Sequence, residues 1–342
     1  MIAYKYRSGR GLKDSKGCDV FERDIALLSK DTIYIPTVEQ LNDPAEALVD
    51  DRYVKPALDL LRMLISDDSV DRMNDSLQGF YDKIRTSGIY SLSKQIENEL
   101  MWAYYSNGHN GYAIIFDTDI LSKSFENGKW GGMYEIDVAY SSKLPKFDIT
   151  TITNKSIQQI LSCFVGNKST AWKHEEEHRL VFDEGGKCLK IDYRAIKGFV
   201  FGCRMPDEDV DYVMKTFAGR NLDYYRVVLK ERSYKLMREN LDDRYPSMEK
   251  YSPNKVKYNI EEILDVDKLV GGVGYKYKCF VEQVLDEVST EPFVTAISHI
   301  VVSEENGFPN ILVWVKVKQD GSFRKMRDFV YEVHSDKLIR KK

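Results

Sequence analysis

The residues with the clearest chemical potential lie in one stretch, 171–182, which reads AWKHEEEHRLVF. Folded as a helix, this stretch would place His174, Glu175 and His178 in the His-Glu-x-x-His pattern of zinc hydrolases, in which two histidines one turn apart bind the metal. The helix is disfavoured because two more glutamates fall inside the pattern, where their desolvation beside a zinc ion would be costly. The other three histidines of the chain lie far away in sequence, so no third ligand is evident.

A strand is the structure that we predict for this stretch, because its last three residues, 180–182, form an apolar run. Side chains of a strand alternate between its two faces, so Glu175, Glu177 and Arg179 would project together. Three charges on one strand face are unsuited to a core. They either form a solvated edge with a structural Glu–Arg pair, or they line an active site.

Length and composition are those of a globular protein with room for two domains. The chain has 342 residues, of which 43% are hydrophobic and 30% are charged, and a chain of this length can bury at least one substantial core. No apolar run reaches the ~18 residues that a membrane helix requires, and the N-terminus lacks the apolar centre of a signal peptide. We therefore expect no membrane association and a cytoplasmic location. The five cysteines are scattered without a CxxC pair, which argues against a disulfide framework.

The order of the predicted elements indicates an α+β fold, with a mixed, mostly antiparallel sheet and inserted helices. Helical spacing of apolar residues predicts two helices over 54–86, and no regular strand–helix–strand alternation is present. We predict a first domain over residues 1–235, which contains the 171–182 stretch. A polar connection with two prolines, either a linker or a connecting helix, follows over 236–254. Residues 255–342 are predicted to form a smaller α+β domain with an antiparallel β-meander.

An ordered set of motifs in the first domain resembles a large bacterial domain family of unknown function, which is often met near mobile elements and defence genes. In chain order the motifs are Tyr4-Lys5-Tyr6, Asn42-Asp43-Pro44, Ser91-Leu92-Ser93, Leu100-Met101-Trp102 with Tyr105, His109 with Gly111, and Trp172-Lys173-His174-Glu175-Glu176-Glu177-His178-Arg179. The resemblance covers roughly residues 1–230 and is specific as a set. The family carries no assigned chemistry, so the activity has to be argued from the residues.

The motif order is also similar, more distantly, to that of ADP-ribosyltransferases of the cholera-toxin type. These enzymes carry a basic residue on an early strand, then a Ser-x-Ser strand, then a Glu-x-Glu motif. The resemblance implies that Lys5 or Arg7 grips the pyrophosphate of NAD. It also implies that Ser91 and Ser93 order the site.

The same resemblance assigns separate roles to the two acids. Glu177 would hold the ribose hydroxyl and stabilise the oxocarbenium ion as nicotinamide leaves, while Glu175 would orient the acceptor. Arg179 completes the predicted catalytic set, although it has no obvious counterpart in that class. NAD would be the cofactor and no metal would be needed. The resemblance further implies a macromolecular target, protein or nucleic acid, and a role as a toxin-type or anti-phage effector.

Further side chains from the motifs are predicted to bind the cofactor. Aromatic rings could stack on nicotinamide or adenine, and a loop histidine could polarise a ligand. Core packing and helix capping are the structural alternatives for these residues. The predicted set is Tyr4, Asn42, Asp43, Trp102, Tyr105 and His109.

Two other functions are compatible with the sequence. A metal-dependent nuclease would hold Mg²⁺ through the oxygens of Asp43, Glu175 and Glu177. A non-catalytic module would instead bind a nucleotide or a peptide as a sensor, and its C-terminal sheet would be a platform for a partner. The basic C-terminal segment supplies candidate nucleic-acid contacts. These contacts are Arg324, Lys325 and Arg327.

Overall fold

The computed structural model divides the chain into two compact units, one formed by residues up to 249 and one by residues from 250 on. The residues that it describes are 1–125, 133–148, 151, 156–246, 248–253, 255–263, 277–305, 308–317, 325–334 and 337–341. Both units combine helices with mostly antiparallel sheet, which confirms the predicted α+β class.

The first unit contains twelve described strands, seven described helices and three short 3₁₀ turns. Its strands are β1 (Ile2–Arg7), β2 (Thr32–Ile35), β3 (Gly88–Ser93), β4 (Tyr112–Asp117), β5 (Met133–Asp137), β6 (Ala139–Ser141), β7 (Asn167–Ser169), β8 (Glu177–Phe182), β9 (Lys187–Lys190), β10 (Ile196–Phe201), β11 (Asp223–Leu229) and β12 (Leu236–Leu241). Its helices are α1 (Val20–Leu28), α2 (Val54–Arg62), α3 (Asp67–Thr86), α4 (Glu99–Tyr105), α5 (Thr118–Lys123), α6 (Ile157–Val165) and α7 (Asp207–Thr216), and its 3₁₀ turns are Val38–Gln40, Thr170–Glu175 and Tyr193–Ala195.

Eight strands form the main sheet, in the order β12-β11-β10-β4-β1-β3-β8-β5. Every neighbouring pair is antiparallel except β10 and β11. Strand β3 pairs with β8 at six positions, from Gly88–Phe182 to Ser93–Glu177. It pairs with β1 at a single position, Tyr4–Ser93. The sheet therefore opens between β1 and β3 beyond that position.

Helices cover both faces of this sheet, because its central strands are apolar on both sides. One face packs against α1, α5 and α7, through side chains such as Phe21, Leu121 and Val213. The other face packs against α3 and α6 at one end and against α4 at the other. Asn98 caps the N-terminus of helix α4, and its side chain accepts from two backbone N–H groups of the first turn. This cap fixes where α4 starts, and so where Tyr105 lies in its last turn.

The edge of the sheet extends further along the chain than we predicted. Residues 236–241, inside the predicted connection, form β12 and pair with β11 from Leu229–Leu236 to Tyr224–Leu241. Only the first residue of β12, Leu236, is buried. An edge strand with polar, exposed side chains lacks the apolar alternation that identifies a strand in a sequence.

The second unit is a four-stranded antiparallel meander with a helix on one face, as predicted. Its strands are β13 (Val294–Glu305), β14 (Phe308–Val317), β15 (Lys325–His334) and β16 (Lys337–Arg340), and they follow one another in the sheet. Its described helices are α8 (Ile260–Ile263) and α9 (Lys278–Ser289). Apolar residues of α9, among them Val281 and Leu285, pack on the inner face of the strands. Within the described ranges, no helix combines the length and the apolar character that crossing a bilayer requires.

Candidate active site

The 171–182 stretch changes structure in its middle. Its first part belongs to the 3₁₀ turn Thr170–Glu175, which the Ser169 side chain caps by accepting from the Ala171 N–H. Glu176 then adopts a left-handed conformation with φ of 41°, and β8 begins at Glu177. The strand therefore starts at Glu177, and Glu175, which we predicted to share a strand face with Glu177 and Arg179, lies in the turn before it. The turn nevertheless brings both predicted acids, Glu175 and Glu177, to the same cavity.

The zinc-hydrolase pattern has no structural counterpart. His174 lies in the 3₁₀ turn, where its Nδ1 is 3.1 Å from the Ala171 carbonyl oxygen. His178 lies in β8, with its Nδ1 2.7 Å from a carboxylate oxygen of Asp137. No three histidine, cysteine, aspartate or glutamate side chains in the described parts of the chain converge as metal ligands.

A cavity of about 120 Å³ opens to solvent where β1 and β3 diverge. Nine of the thirteen residues that the sequence predicted for the site line this cavity. They are Tyr4, Lys5, Asn42, Ser91, Ser93, Tyr105, Glu175, Glu177 and Arg179.

A buried arginine organises the acidic wall of the cavity. The Arg179 side chain is fully buried, and its guanidinium donates to both carboxylate oxygens of Glu46, at 2.5 and 3.0 Å. It also donates to Glu177 Oε2 at 2.8 Å and to the Val165 carbonyl oxygen at 2.6 Å. A planar guanidinium that binds two carboxylates in this way fixes their orientation. Arg179 is therefore a positioning residue for Glu177.

Glu177 is held in its ionised form. Burial alone would raise the pKa of its carboxyl group, but the charges of Arg179 and Lys168 outweigh burial, and a hydrogen bond from Ser91 adds to their effect. Together they lower the pKa of Glu177 to about 2. At neutral pH this carboxylate is therefore a fixed negative charge in the wall of the cavity.

Glu175 lines the same cavity with a different set of partners. Its Oε2 accepts from Lys168 Nζ at 2.5 Å, and its Oε1 accepts from the Tyr105 hydroxyl. Lys168 Nζ also lies 3.5 Å from Glu177 Oε2 and 5.0 Å from the centre of the Trp172 ring. One buried ammonium thus bridges the two acids of the Glu-x-Glu motif.

The two serines, Ser91 and Ser93, have different hydrogen-bond partners. The Ser91 hydroxyl bonds to the Glu177 carboxylate, as described above. The Ser93 hydroxyl donates to the backbone carbonyl of Glu175 at 2.7 Å. Ser93 therefore links β3 to the 3₁₀ turn, while Ser91 contributes to the lowered pKa of Glu177.

Lys5, and not Arg7, is the basic residue of β1 that reaches the cavity. Its Nζ donates to the Ser91 carbonyl oxygen at 2.9 Å and lies 4.7 Å from the centre of the Tyr90 ring. Burial and the nearby charge of Arg7 lower the pKa of Lys5 to about 7. Arg7 instead pairs with the buried carboxylate of Asp24 at 2.8 Å.

Three other predicted residues also lie outside this cavity. Trp102 is a core residue, completely buried, whose indole N–H donates to the Ile96 carbonyl at 2.6 Å. His109 forms a left-handed turn with φ of 69°, and its carbonyl accepts from the Arg204 N–H at 3.1 Å. Asp43 lines a neighbouring cavity and accepts from the Ala45 N–H at 2.9 Å. Their sequence signals came from packing and turn formation, which also require particular residue types.

The sequence interpretation missed Lys168 and Glu46. Lys168 lies in the short strand β7, in a polar stretch that looks like a loop. Glu46 follows the Asn-Asp-Pro turn by two residues. Buried charged side chains require oppositely charged partners. The need to pair Arg179, Glu175 and Glu177 was therefore the one signal in the sequence that pointed to further charged residues such as Glu46 and Lys168.

The comparisons with known proteins are consistent with the resemblance to a domain family of unknown function. Residues 101–180, which include Tyr105 and Lys168 and all but the last two residues of the 171–182 stretch, match a family described as "Protein of unknown function (DUF2971)". No curated protein and no solved structure matches the chain.

Proposed function

We propose that the cavity cleaves NAD and transfers ADP-ribose to a macromolecular target. One observation carries the proposal: the adjacent strands β1, β3 and β8 bring Lys5, Ser91 and Glu177 to one cavity. A base, a serine and an acid from three successive motifs are the combination that ADP-ribosyltransferases of the cholera-toxin type use. The toxin-type or anti-phage role and the cytoplasmic location that the resemblance implies belong to the same proposal.

In this proposal Glu177 supports the bond-breaking step. As the bond between ribose C1′ and nicotinamide breaks, the electron pair leaves with nicotinamide and positive charge develops on the ribose. A fixed carboxylate whose pKa is about 2 stays negative beside that charge, and preorganised charge of this kind lowers the barrier. Arg179 and Ser91 hold the carboxylate in place, so it does not have to reorient during the reaction.

The size of the cavity suggests how NAD would lie. A volume of about 120 Å³ accommodates the nicotinamide and part of its ribose, so the diphosphate and adenosine would extend towards solvent. The Lys5 ammonium is the nearby cation without a carboxylate partner among the described residues. A diphosphate beside it would favour its charged form, so binding would be accompanied by proton uptake near neutral pH.

In this proposal Glu175 acts on the acceptor, the group of the target that receives ADP-ribose. The acceptor's nucleophilic atom would attack C1′ and release a proton, and Glu175, which lines the same cavity as Glu177, would take it. Lys168 and Tyr105 hold Glu175 until then.

The arrangement of the acids favours transfer over the nuclease alternative. A magnesium site of Asp43, Glu175 and Glu177 requires the three carboxylates to converge. Asp43 lines a different cavity from the two glutamates.

Release of nicotinamide from NAD, with and without EDTA, tests the proposed function. We expect wild type to release nicotinamide in the presence of the chelator, and Glu177→Gln to be slower by about 100-fold or more, the usual cost of removing a stabilising charge. Glu176→Gln is the matched control, because its carboxylate is exposed and bonds to Gln95 Nε2 at 3.0 Å outside the cavity. Unfolding curves establish that both variants are folded.

Three results would contradict the proposal. Wild type would release no nicotinamide, or Glu177→Gln would release it as fast as wild type, or activity would appear only as metal-dependent cutting of RNA or DNA. The last result would establish the nuclease. Unchanged NAD binding by Glu177→Gln, without turnover by either protein, would establish a sensor.

A further inference from the structure

The hairpin formed by helices α2 and α3 exposes a continuous run of apolar side chains at its tip. Met63 and Leu64 lie in the turn between the two helices, with 80% and 74% of their surface exposed. Leu60, in the last turn of α2, is 60% exposed, and Ile65 is 43% exposed. Single apolar residues are normal on a surface, but a contiguous group marks a contact surface. We call these four residues the knob.

An apolar groove with a volume of about 510 Å³ runs along α3 and begins just after the knob. Its walls contain five apolar side chains, two serines and an arginine, and no carboxylate. The α3 residues recur at helical spacing, so they form one face that extends about 17 Å from the first turn of the helix. A groove of this size has room for two side chains such as Met63 and Leu64. Its α3 residues are Ser69, Arg72, Met73, Ser76, Leu77 and Phe80.

The charged residues beside the knob and in the groove have opposite signs. Asp59 directly precedes the knob, is exposed, and forms no ion pair with the described residues. Arg72 lines the groove, where its Nη2 donates to Ser69 Oγ at 3.3 Å and to no carboxylate of the described chain. Opposite charges at the margins of two apolar surfaces attract each other and fix the register of their contact. The knob and the groove are therefore complementary in charge as well as in apolar character.

We propose that the knob of one copy of this chain inserts into the groove of a second copy, and that two such contacts form a symmetric dimer. Both features lie at the same end of α3, so a twofold axis that sets two α3 helices antiparallel brings each knob over the other copy's groove. The same contact brings Asp59 to the margin of the groove that contains Arg72 of the partner subunit. Neither knob nor groove lines the candidate active site. The proposal therefore goes beyond NAD cleavage and does not depend on it.

Sedimentation of the full chain over a range of concentrations tests the proposal. We expect dimers of wild type at about 100 μM. Met63→Glu should raise the dissociation constant about tenfold or more, because the dimer would then bury a carboxylate in an apolar groove. Met248→Glu is the matched control, since it makes the same change at a 54% exposed position outside knob and groove. We expect it to stay within about twofold of wild type, and unfolding curves establish that both variants are folded.

A second variant changes the groove instead of the knob. Ser76→Trp places a large ring in the groove from an exposed position of α3, so this variant alone should also dimerise weakly. Mixed with Met63→Glu, it supplies an intact knob for an intact groove. We expect the mixture to associate about tenfold or more tightly than either variant alone, because the two changes then fall in the same contact and leave the other intact.

Three results of these measurements would overturn the proposal. Wild type would be monomeric at about 100 μM, or Met63→Glu would associate like wild type, or mixing the two variants would bring no gain. Flotation with phosphatidylcholine vesicles identifies a different occupant. If wild type were monomeric and bound the vesicles, and Met63→Glu did not bind them, the knob would contact a lipid surface and the dimer would be excluded.

Discussion

At the scale of single residues, the site depends on buried charges that are compensated to different degrees. Arg179 contacts the carboxylates of Glu46 and Glu177, and Lys168 contacts those of Glu175 and Glu177. Lys5 meets a backbone carbonyl and an aromatic ring instead. The glutamate is therefore stabilised in its charged form, whereas the lysine is destabilised in its charged form. Opposite effects on stability follow from these two residues.

Glu177 should make the fold sensitive to acid. Its pKa falls from an ordinary value of 4.5 to about 2 in the folded chain, so its stabilising contribution is complete above pH 4.5 and disappears as the pH falls towards 2. The shift corresponds to about 2–4 kcal/mol. We expect Glu177→Gln to be less stable than wild type by about this amount at pH 6, and the gap to narrow below pH 4.5. Urea unfolding of both proteins at pH 6, 4 and 3 measures this difference in stability. If the difference in unfolding free energy between the two proteins did not change with pH, the neighbours of Glu177 would not be lowering its pKa.

Lys5 should reduce the stability of the folded chain near neutral pH. Its folded pKa of about 7 lies below its ordinary value of 10.5, so the unfolded chain binds more protons between these values and stability rises with pH across that window. Lys5→Met removes the cost of burying the ammonium, and we expect the variant to be more stable by about 1–3 kcal/mol at pH 7. Under the proposed function, NAD cleavage should be lost. Unfolding midpoints and nicotinamide release measure the two effects.

Arg7→Met is the control for this prediction. The same substitution two residues along β1 leaves the buried Asp24 without Arg7, its partner at 2.8 Å, so it should destabilise the fold. Equal changes in stability for the two variants would mean that the different surroundings of Lys5 and Arg7 have no energetic consequence.

How much of the site the sequence predicts depends on what each residue type signals. Glu175, Glu177 and Arg179 were predicted because charged residues alternating before an apolar run are unusual. Trp102 was predicted with them, although it packs in the core, because an aromatic residue in a motif looks the same whether it binds a ligand or fills the interior. Lys168 was missed because a lysine in a short polar strand gives no local sign that its ammonium is buried beside Glu175 and Glu177. Residue type limits the possible chemistry, and tertiary structure decides which residues take part.

At the scale of elements, the junction between the 3₁₀ turn and β8 determines how the two acids face each other. Alternation predicted β8 correctly from Glu177 onward. It did not predict the turn, because the side-chain cap at Ser169 and the left-handed Glu176 override the local pattern. Strand β12 was assigned to a connection for the related reason that its side chains are polar. Strands with an apolar face were therefore predictable, and elements held by caps or by edge pairing were not.

The left-handed residue at this junction provides a test of backbone strain. A glutamate with φ of 41° occupies a region that disfavours side chains. Glu176→Gly should relieve this strain and raise the free energy of unfolding by about 0.5–1 kcal/mol, less a small loss from the exposed bond to Gln95. Nicotinamide release should stay at the wild-type level, since Glu176 does not line the cavity. Glu176→Ala, which keeps the strain and loses the same bond, is the control. If glycine were no more stabilising than alanine, the turn would not be strained.

At the scale of the whole molecule, each unit contains its own core. The apolar clusters of the first unit consist of residues up to 245, and that of the second unit of residues from 256 on. Both cavities discussed above are lined entirely by the first unit. The sequence predicted two domains from the polar, proline-containing segment between them, and the contacts within the chain divide it after residue 249.

In the basic C-terminal segment, Arg324 and the side chain of Lys325 lie outside the described residues, and Arg327 lies over the buried ring of Phe329 at 5.9 Å. The nucleic-acid contact predicted there remains a prediction.

A truncation tests whether the chemistry belongs to the first unit alone. A fragment of residues 1–249 retains every residue that lines the two cavities and the complete eight-stranded sheet, so we expect it to unfold cooperatively. If the proposed function is correct, it should release nicotinamide from NAD within about threefold of the full chain, a difference of less than 1 kcal/mol in transition-state stabilisation. A fragment ending at residue 235 is the control, because it lacks β12 and so exposes the edge of β11 and the side of the core that Leu236 covers. We expect that shorter fragment to be markedly less stable in urea. Equal stability of the two fragments would show that β12 is dispensable, and loss of release by a folded 1–249 fragment would show that catalysis requires residues of the second unit.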